Sequence, residues 1–183
     1  MKKFIAFITC AAVMLCTGCG IVSESQDNYD DPGYTYSKPK DLIPRTYDEL
    51  WDSLYSRSLN WTALREEIHA NDNARDVTYQ ELARSTNGLF GEDIIVAGKV
   101  FQVAENDIWY EGLISITRNG DGAFEYFTDE IYFIVPKAFL SERLLQNDKV
   151  GMCGRSAGLY TYDSVLGNPN TVPCILVTNV VYP

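Results

Sequence analysis

The 183-residue sequence holds one histidine, His69. A single imidazole excludes a His-rich metal site and leaves a Ser/His/Asp system almost nothing to work with. His69 stands beside Glu66 and Glu67 and reads as a solvated or salt-linked side chain. Cysteine is also scarce: Cys10, Cys16, Cys19, Cys153 and Cys174 do not have the spacing of a zinc cluster. No phosphate loop, dinucleotide fingerprint or EF-hand loop is present. The carboxylate pairs Glu92/Asp93 and Asp129/Glu130 are adjacent, so on a strand their members point to opposite faces. No catalytic residue, metal site or cofactor follows from the residues, and the chain reads as a non-enzyme.

Positive charge is short too. Fifteen Lys+Arg stand against 25 Asp+Glu, a formal charge of −10. Within residues 76–183 seven basic residues face fourteen acidic ones. Binding driven by phosphate contacts needs clustered cations, so the charge argues against nucleic acid as a partner. Hydrophobic residues are not lacking: at 46% of the chain they are enough for a packed core.

Long apolar runs are missing. Phe4–Leu15 is twelve residues, below the roughly 20 a spanning helix needs. With Met1-Lys2-Lys3 before it and Thr17-Gly18 after it, the run has the layout of an export signal. Leu15-Cys16-Thr17-Gly18-Cys19 resembles the lipobox of bacterial lipoproteins, with Cys16 where that family has an aliphatic residue. The resemblance implies cleavage after residue 18 and acylation of Cys19 by diacylglycerol and palmitate-type chains. The protein would then be extracytoplasmic, lipid-anchored to the bacterial cell membrane, or to the outer membrane in a host with two.

Residues 19–45 read as a flexible tether, broken by Asp30-Asp31-Pro32-Gly33, Pro39 and Pro44. Residues 46–75 read as helical. Thr46 and Glu49 form a capping box, and Tyr47, Leu50, Trp51, Leu54 and Tyr55 recur on one helix face. Asn60 caps a second helix, and Thr78 with Glu81 opens a third.

Residues 76–183 change to strand patterning. Strands are expected over 94–103, 109–118, 124–135, from 149, and over 172–182, with a short helix over 138–146. Gly98 is placed to bend the first strand. Five strands with a helix between the third and fourth give a mainly β fold with some α: a five-stranded OB-fold-like Greek-key barrel preceded by short helices.

Four stretches carry a further resemblance: Val77–Arg84, Val96–Val103, Asn147–Val150, and Gly158–Tyr162 with Leu166-Gly167 and Val172-Pro173. Over 107 of the 183 residues they are similar to a family of bacterial lipoproteins with an OB-fold, tRNA-anticodon-binding-like domain of unassigned function. Acidic Glu92-Asp93 departs from the lysines of that family. The resemblance implies fold and location and brings no reaction with it.

The expected function is a membrane-anchored binding module for a glycan, peptide or other small molecule at the cell surface. OB loops around strand one and between strands four and five are the usual contact region, which selects Lys99, Phe101, Arg155, Tyr160 and Tyr162 as ligand contacts. The alternative is a scaffold subunit of a cell-envelope complex, docking through Tyr47, Trp51 and Tyr55. Cys153 and Cys174 form a candidate disulfide if register allows; turn chemistry at Leu166–Pro169 favours two separate thiols.

Overall fold

Helices appear where the capping residues place them. Thr46 and Glu49 close a reciprocal capping box at the start of α1 (Tyr47–Tyr55), satisfying two of the backbone N–H groups that a helix start leaves free. Asn60 caps α2 (Trp61–Asn71) by accepting from the Ala63 amide at 3.0 Å. Thr78 and Glu81 repeat the box at α3 (Tyr79–Arg84). The structure, a computed structural model, describes residues 43–120, 122–163 and 167–183. The export signal, Cys19 and most of the tether lie outside them.

Strands follow from alternation. β1 (Arg75–Asp76) is a short parallel addition to β2 (Asp93–Glu105). β3 (Trp109–Asn119), β4 (Tyr126–Pro136), β5 (Lys149–Asp163) and β6 (Pro169–Val181) complete the sheet. β2 pairs antiparallel with both β3 and β5, β5 with β6, and β4 runs parallel to β6. The sheet therefore closes on itself as β2-β3-β4-β6-β5, the connectivity of an OB-fold barrel. β2 serves two neighbours by bending. Its N-terminal half pairs with β5, its C-terminal half with β3, and both pairings meet at Lys99. A Cβ on Gly98 would run into the Ser115 carbonyl oxygen, so glycine permits this close approach. A register shift between Val100 and Gln102 finishes the turn.

The protein has two apolar cores, one inside the barrel and one outside. Ile131, Phe133 and Val135 of β4 point in, with Ile114, Met152 and Ile175 around them. Ile134, Cys174, Leu176 and Ala157 point out and meet Leu50, Trp51, Leu54, Leu64 and Ile68 of α1 and α2. β6 is buried on both faces, which is why Val172–Val177 is an almost continuous apolar run.

Two expectations are corrected, and the two cysteines stand as their turn chemistry favoured. The helix over 138–146 is only a 3₁₀ turn, Lys137–Phe139. Beyond it the backbone bonds to β2, to a side chain and in one turn: the Asn147 amide donates to the Val100 carbonyl at 2.8 Å, the Leu145 amide to Asp148 Oδ2 at 2.7 Å, and the Asp148 amide to the Leu145 carbonyl at 3.2 Å. The end of the tether is docked. Ile43 is buried in the outer core, and Arg45 pairs with Glu67 at 2.9 Å. Cys153 and Cys174 are free thiols, because β5 and β6 pair Cys153 with Asn179 and Cys174 with Gly158. The two cysteines never face each other, and bridging would require moving the strands.

Candidate ligand-binding groove

The five ligand contacts expected from the sequence do not form one site. Lys149, cross-strand partner of Lys99, and Tyr160 are eleven residues apart on β5, about 36 Å of extended strand. Phe101 is exposed on β2, and its carbonyl accepts from Gln146 Nε2 at 2.9 Å.

Arg155 is consumed by structure. Its side chain is 9% exposed and holds Asp93 through Nε and Nη2 at 2.8 and 3.2 Å, and Glu67 through Nη1 at 2.9 Å. Arg45 grips the other side of Glu67 with two bonds of 2.9 and 3.0 Å. The Arg45 bonds, with help from Arg155 and against partial burial, keep the Glu67 carboxyl below its ordinary value. The network ties α2 to the barrel, so Arg155 is a structural residue and not a ligand contact. The polar cleft beside it, about 350 Å³, is lined by Arg45, Arg75 and Arg155 against Glu67, Glu92 and Asp93; the cations and anions there match one for one.

Tyr160 is also engaged. Trp51 of α1 stacks on it with ring centres 4.8 Å apart and planes 14° from parallel, and Tyr132 meets it at 4.5 Å. Tyr162, half-buried, continues the row at 6.4 Å from Tyr160. Burial, and then the nearby Glu111 carboxylate, push the Tyr132 hydroxyl well above its ordinary pKa. Glu111 is itself a partner of Trp109 Nε1 at 3.3 Å. Of the scaffold face expected from Tyr47, Trp51 and Tyr55, one residue is turned inward and two are exposed. Trp51 is buried, the Tyr47 hydroxyl donates to the Leu159 carbonyl at 2.8 Å, and Tyr55 alone of the three is mostly free. Through Trp51 the aromatic helix covers the barrel, with Tyr47 and Tyr55 at its exposed edge.

An open groove of about 510 Å³ lies elsewhere, between the β3–β4 hairpin and the strands β2, β5 and β6. Ile116, Phe127 and Val150 supply its apolar floor, Ala97 and Gly151 its free space, and Arg118, Glu125 and Lys149 its polar rim. Glu125 bridges both cations, and Lys149 Nζ stands 5.7 Å from the centre of the Phe127 ring. The Lys149 bond, together with Arg118 and against some burial, holds the Glu125 carboxyl below its ordinary value. Lys99 sits opposite Lys149 in the β2–β5 register and makes no ion pair among the described residues. Sequence reasoning missed this groove. The Arg118–Phe127 pair across the β3–β4 hairpin was readable, but Lys149 joins it only when the barrel closes.

Among the described residues no cluster of three or more His, Cys, Asp or Glu is arranged to hold a metal, and no helix is long and apolar enough to cross a membrane. His69 is exposed at the end of α2.

No protein-family model matches the chain, and no curated protein matches it. Solved structures do resemble it. The small single-stranded DNA-binding protein of Streptomyces coelicolor aligns at 17% identity and a TM-score of 0.38, over 51% of this chain and 94% of its own. The mitochondrial single-stranded DNA-binding protein Rim1 of S. cerevisiae aligns at 13% and 0.34, over 50% and 94%. The asparaginyl-tRNA synthetase of Pyrococcus horikoshii aligns at 15% and 0.36, over 58% of this chain and 21% of its own. At such identities the likeness is one of fold. It nevertheless corrects one expectation. The barrels like this one include single-stranded DNA-binding proteins, which stands against the exclusion of nucleic acid drawn from net charge. Net charge is in any case a property of the whole chain, whereas binding depends on the local field.

Proposed function

We propose that this chain is a non-catalytic OB-fold binding module, lipid-anchored through Cys19 on the outer side of a bacterial membrane, with its ligand in the groove beside Phe127. One observation carries the placement. The aromatic face of β4, β5 and β6 is covered by α1 and α2, whereas the groove is open, apolar at its floor and charged at its rim. That combination is the usual make-up of a small-ligand site. The anchor rests on the run Phe4–Leu15 followed by Gly18-Cys19.

Two measurements test the two halves. Intact-mass spectrometry of the mature protein is expected to find an acylated Cys19 at its N-terminus, and Cys19→Ala to release the protein from membranes or leave it unprocessed. An unmodified N-terminal residue other than Cys19 overturns the anchor. For the module, the full chain is applied to arrays of glycans, peptides and single-stranded oligonucleotides beside a Gly151→Val variant. A Cβ at Gly151 meets only Val181, with its carbonyl oxygen at 3.9 Å, so branching begins in open space and the variant narrows the groove. Array binding that the variant loses supports the placement; binding that persists moves the site elsewhere.

A further inference from the structure

We infer, resting on the reading above, that the groove is a site for a small amphipathic anion: an anionic head held by Lys149 and Arg118, and an unbranched or flat apolar body laid over Ile116, Phe127 and Val150. The case begins with charge. Glu125 is one carboxylate shared between two cations. It is held ionised by the same two partners, Lys149 first, so the trio keeps one net positive charge at neutral pH. An ammonium has three donors and a guanidinium five, more than a single carboxylate can accept. Lys149 and Arg118 have side chains 52% and 63% exposed, so their remaining donors face the groove mouth and solvent. Lys99, directly opposite Lys149 in register, adds a third cation to the same sheet face. Three of the seven basic residues in 76–183 thus gather here, within a chain of net charge −10.

Shape supplies the second half. The sheet surface carries Ala97 and Gly151 where larger side chains would fill it. The space they leave is floored by Phe127 and flanked by Val181 and Pro183. Its 510 Å³ falls inside the roughly 300–1,000 Å³ range of small-ligand sites. A purely polar anion would leave the floor wet, and a neutral hydrocarbon would leave the cation surplus unmatched. Only a molecule with both parts gains from both.

The test titrates octanoate, octyl phosphate, 1-octanol and inorganic phosphate separately into the full chain, read by calorimetry and by methyl NMR of Ile116 and Val150. Octanoate or octyl phosphate is expected to bind one to one and to shift both methyl groups. Comparable affinity for the two assigns any anionic head, and a clear preference assigns the carboxylate or the phosphate. Lys149→Glu is expected to weaken binding about tenfold or more, roughly 1.4 kcal/mol, and 1-octanol to bind at least that much more weakly than octanoate. Inorganic phosphate alone is expected to leave the methyl groups unmoved. Equal affinity for octanoate and 1-octanol, or indifference to Lys149→Glu, overturns the anion assignment. So does the absence of any methyl shift with all four probes. The groove as binding site is judged separately, by array binding that Gly151→Val abolishes; that result keeps the module even where every octyl probe fails.

Discussion

Arg155 stands two residues beyond Cys153 on an apolar strand, and nothing local announces that it is buried. Its environment is built by partners 62 and 88 residues away, Asp93 and Glu67. Burial works against its charge; Asp93 first, then Glu67, restore it and raise the pKa above the ordinary value. The pair with Asp93 is costly to break because both side chains are under 10% exposed. Arg155→Leu strands the Asp93 carboxylate in a desolvated place, and a loss of about 3–5 kcal/mol is expected. Urea unfolding measures it. A loss under about 1 kcal/mol would mean that water reaches Asp93 and that the network does not hold α2.

At the scale of elements, the Trp51 indole joins Leu50 and Leu54 in holding α1 to the barrel. Trp51 stacks on Tyr160 and sits in the outer core, but its Nε1 is buried with no hydrogen-bond partner among the described residues. The ring stabilises by packing while the N–H costs its lost hydration. Two variants separate these effects. Trp51→Ala is expected to lose about 3–5 kcal/mol and the near-ultraviolet dichroism of the stack. Trp51→Phe keeps most of the ring contact, removes the unmet donor and is expected to stay within about 1.5 kcal/mol of the parent. Equal losses in both would place the importance of Trp51 in its N–H and not in its ring. The segment 138–146 teaches the opposite lesson about elements: its composition suits a helix, yet barrel closure draws the backbone of Asn147 onto Val100.

For the whole molecule, the ionised carboxylates set the response to acid. Glu49, Glu67, Glu81, Glu105 and Glu125 all lie below their ordinary value of 4.5. Their partners differ: a capping Thr for Glu49 and Glu81, Arg45 for Glu67, Lys137 for Glu105 and Lys149 for Glu125. A carboxylate whose pKa is lower folded than unfolded contributes stability above its unfolded pKa and loses it as pH falls through the folded one. The denaturation midpoint is therefore expected to hold from pH 7 to about pH 5 and to fall steadily below that. A midpoint unchanged at about pH 3 would mean that these carboxylates titrate alike in the folded and unfolded chain.

Local chemistry was enough for the elements that local chemistry forms. Thr46 with Glu49, Asn60, and Thr78 with Glu81 start three helices because a cap needs only residues three positions away. Alternation placed the strands, their order pointed to an OB-fold, and Gly98 marked the bend because no other residue tolerates the Ser115 carbonyl so close. Which face of each strand meets which neighbour was not readable in this way. The sequence by itself determined the three capped helices, the five barrel strands, their order and the apolar faces each must bury. Only the tertiary structure decided that Arg155 is an anchor, that Trp51 covers Tyr160, that Cys153 and Cys174 miss each other, and that Arg118, Glu125, Phe127 and Lys149 share a groove. The physical reason is that these juxtapositions are made by strands distant in sequence, and a one-residue change of register would turn each side chain to the other face.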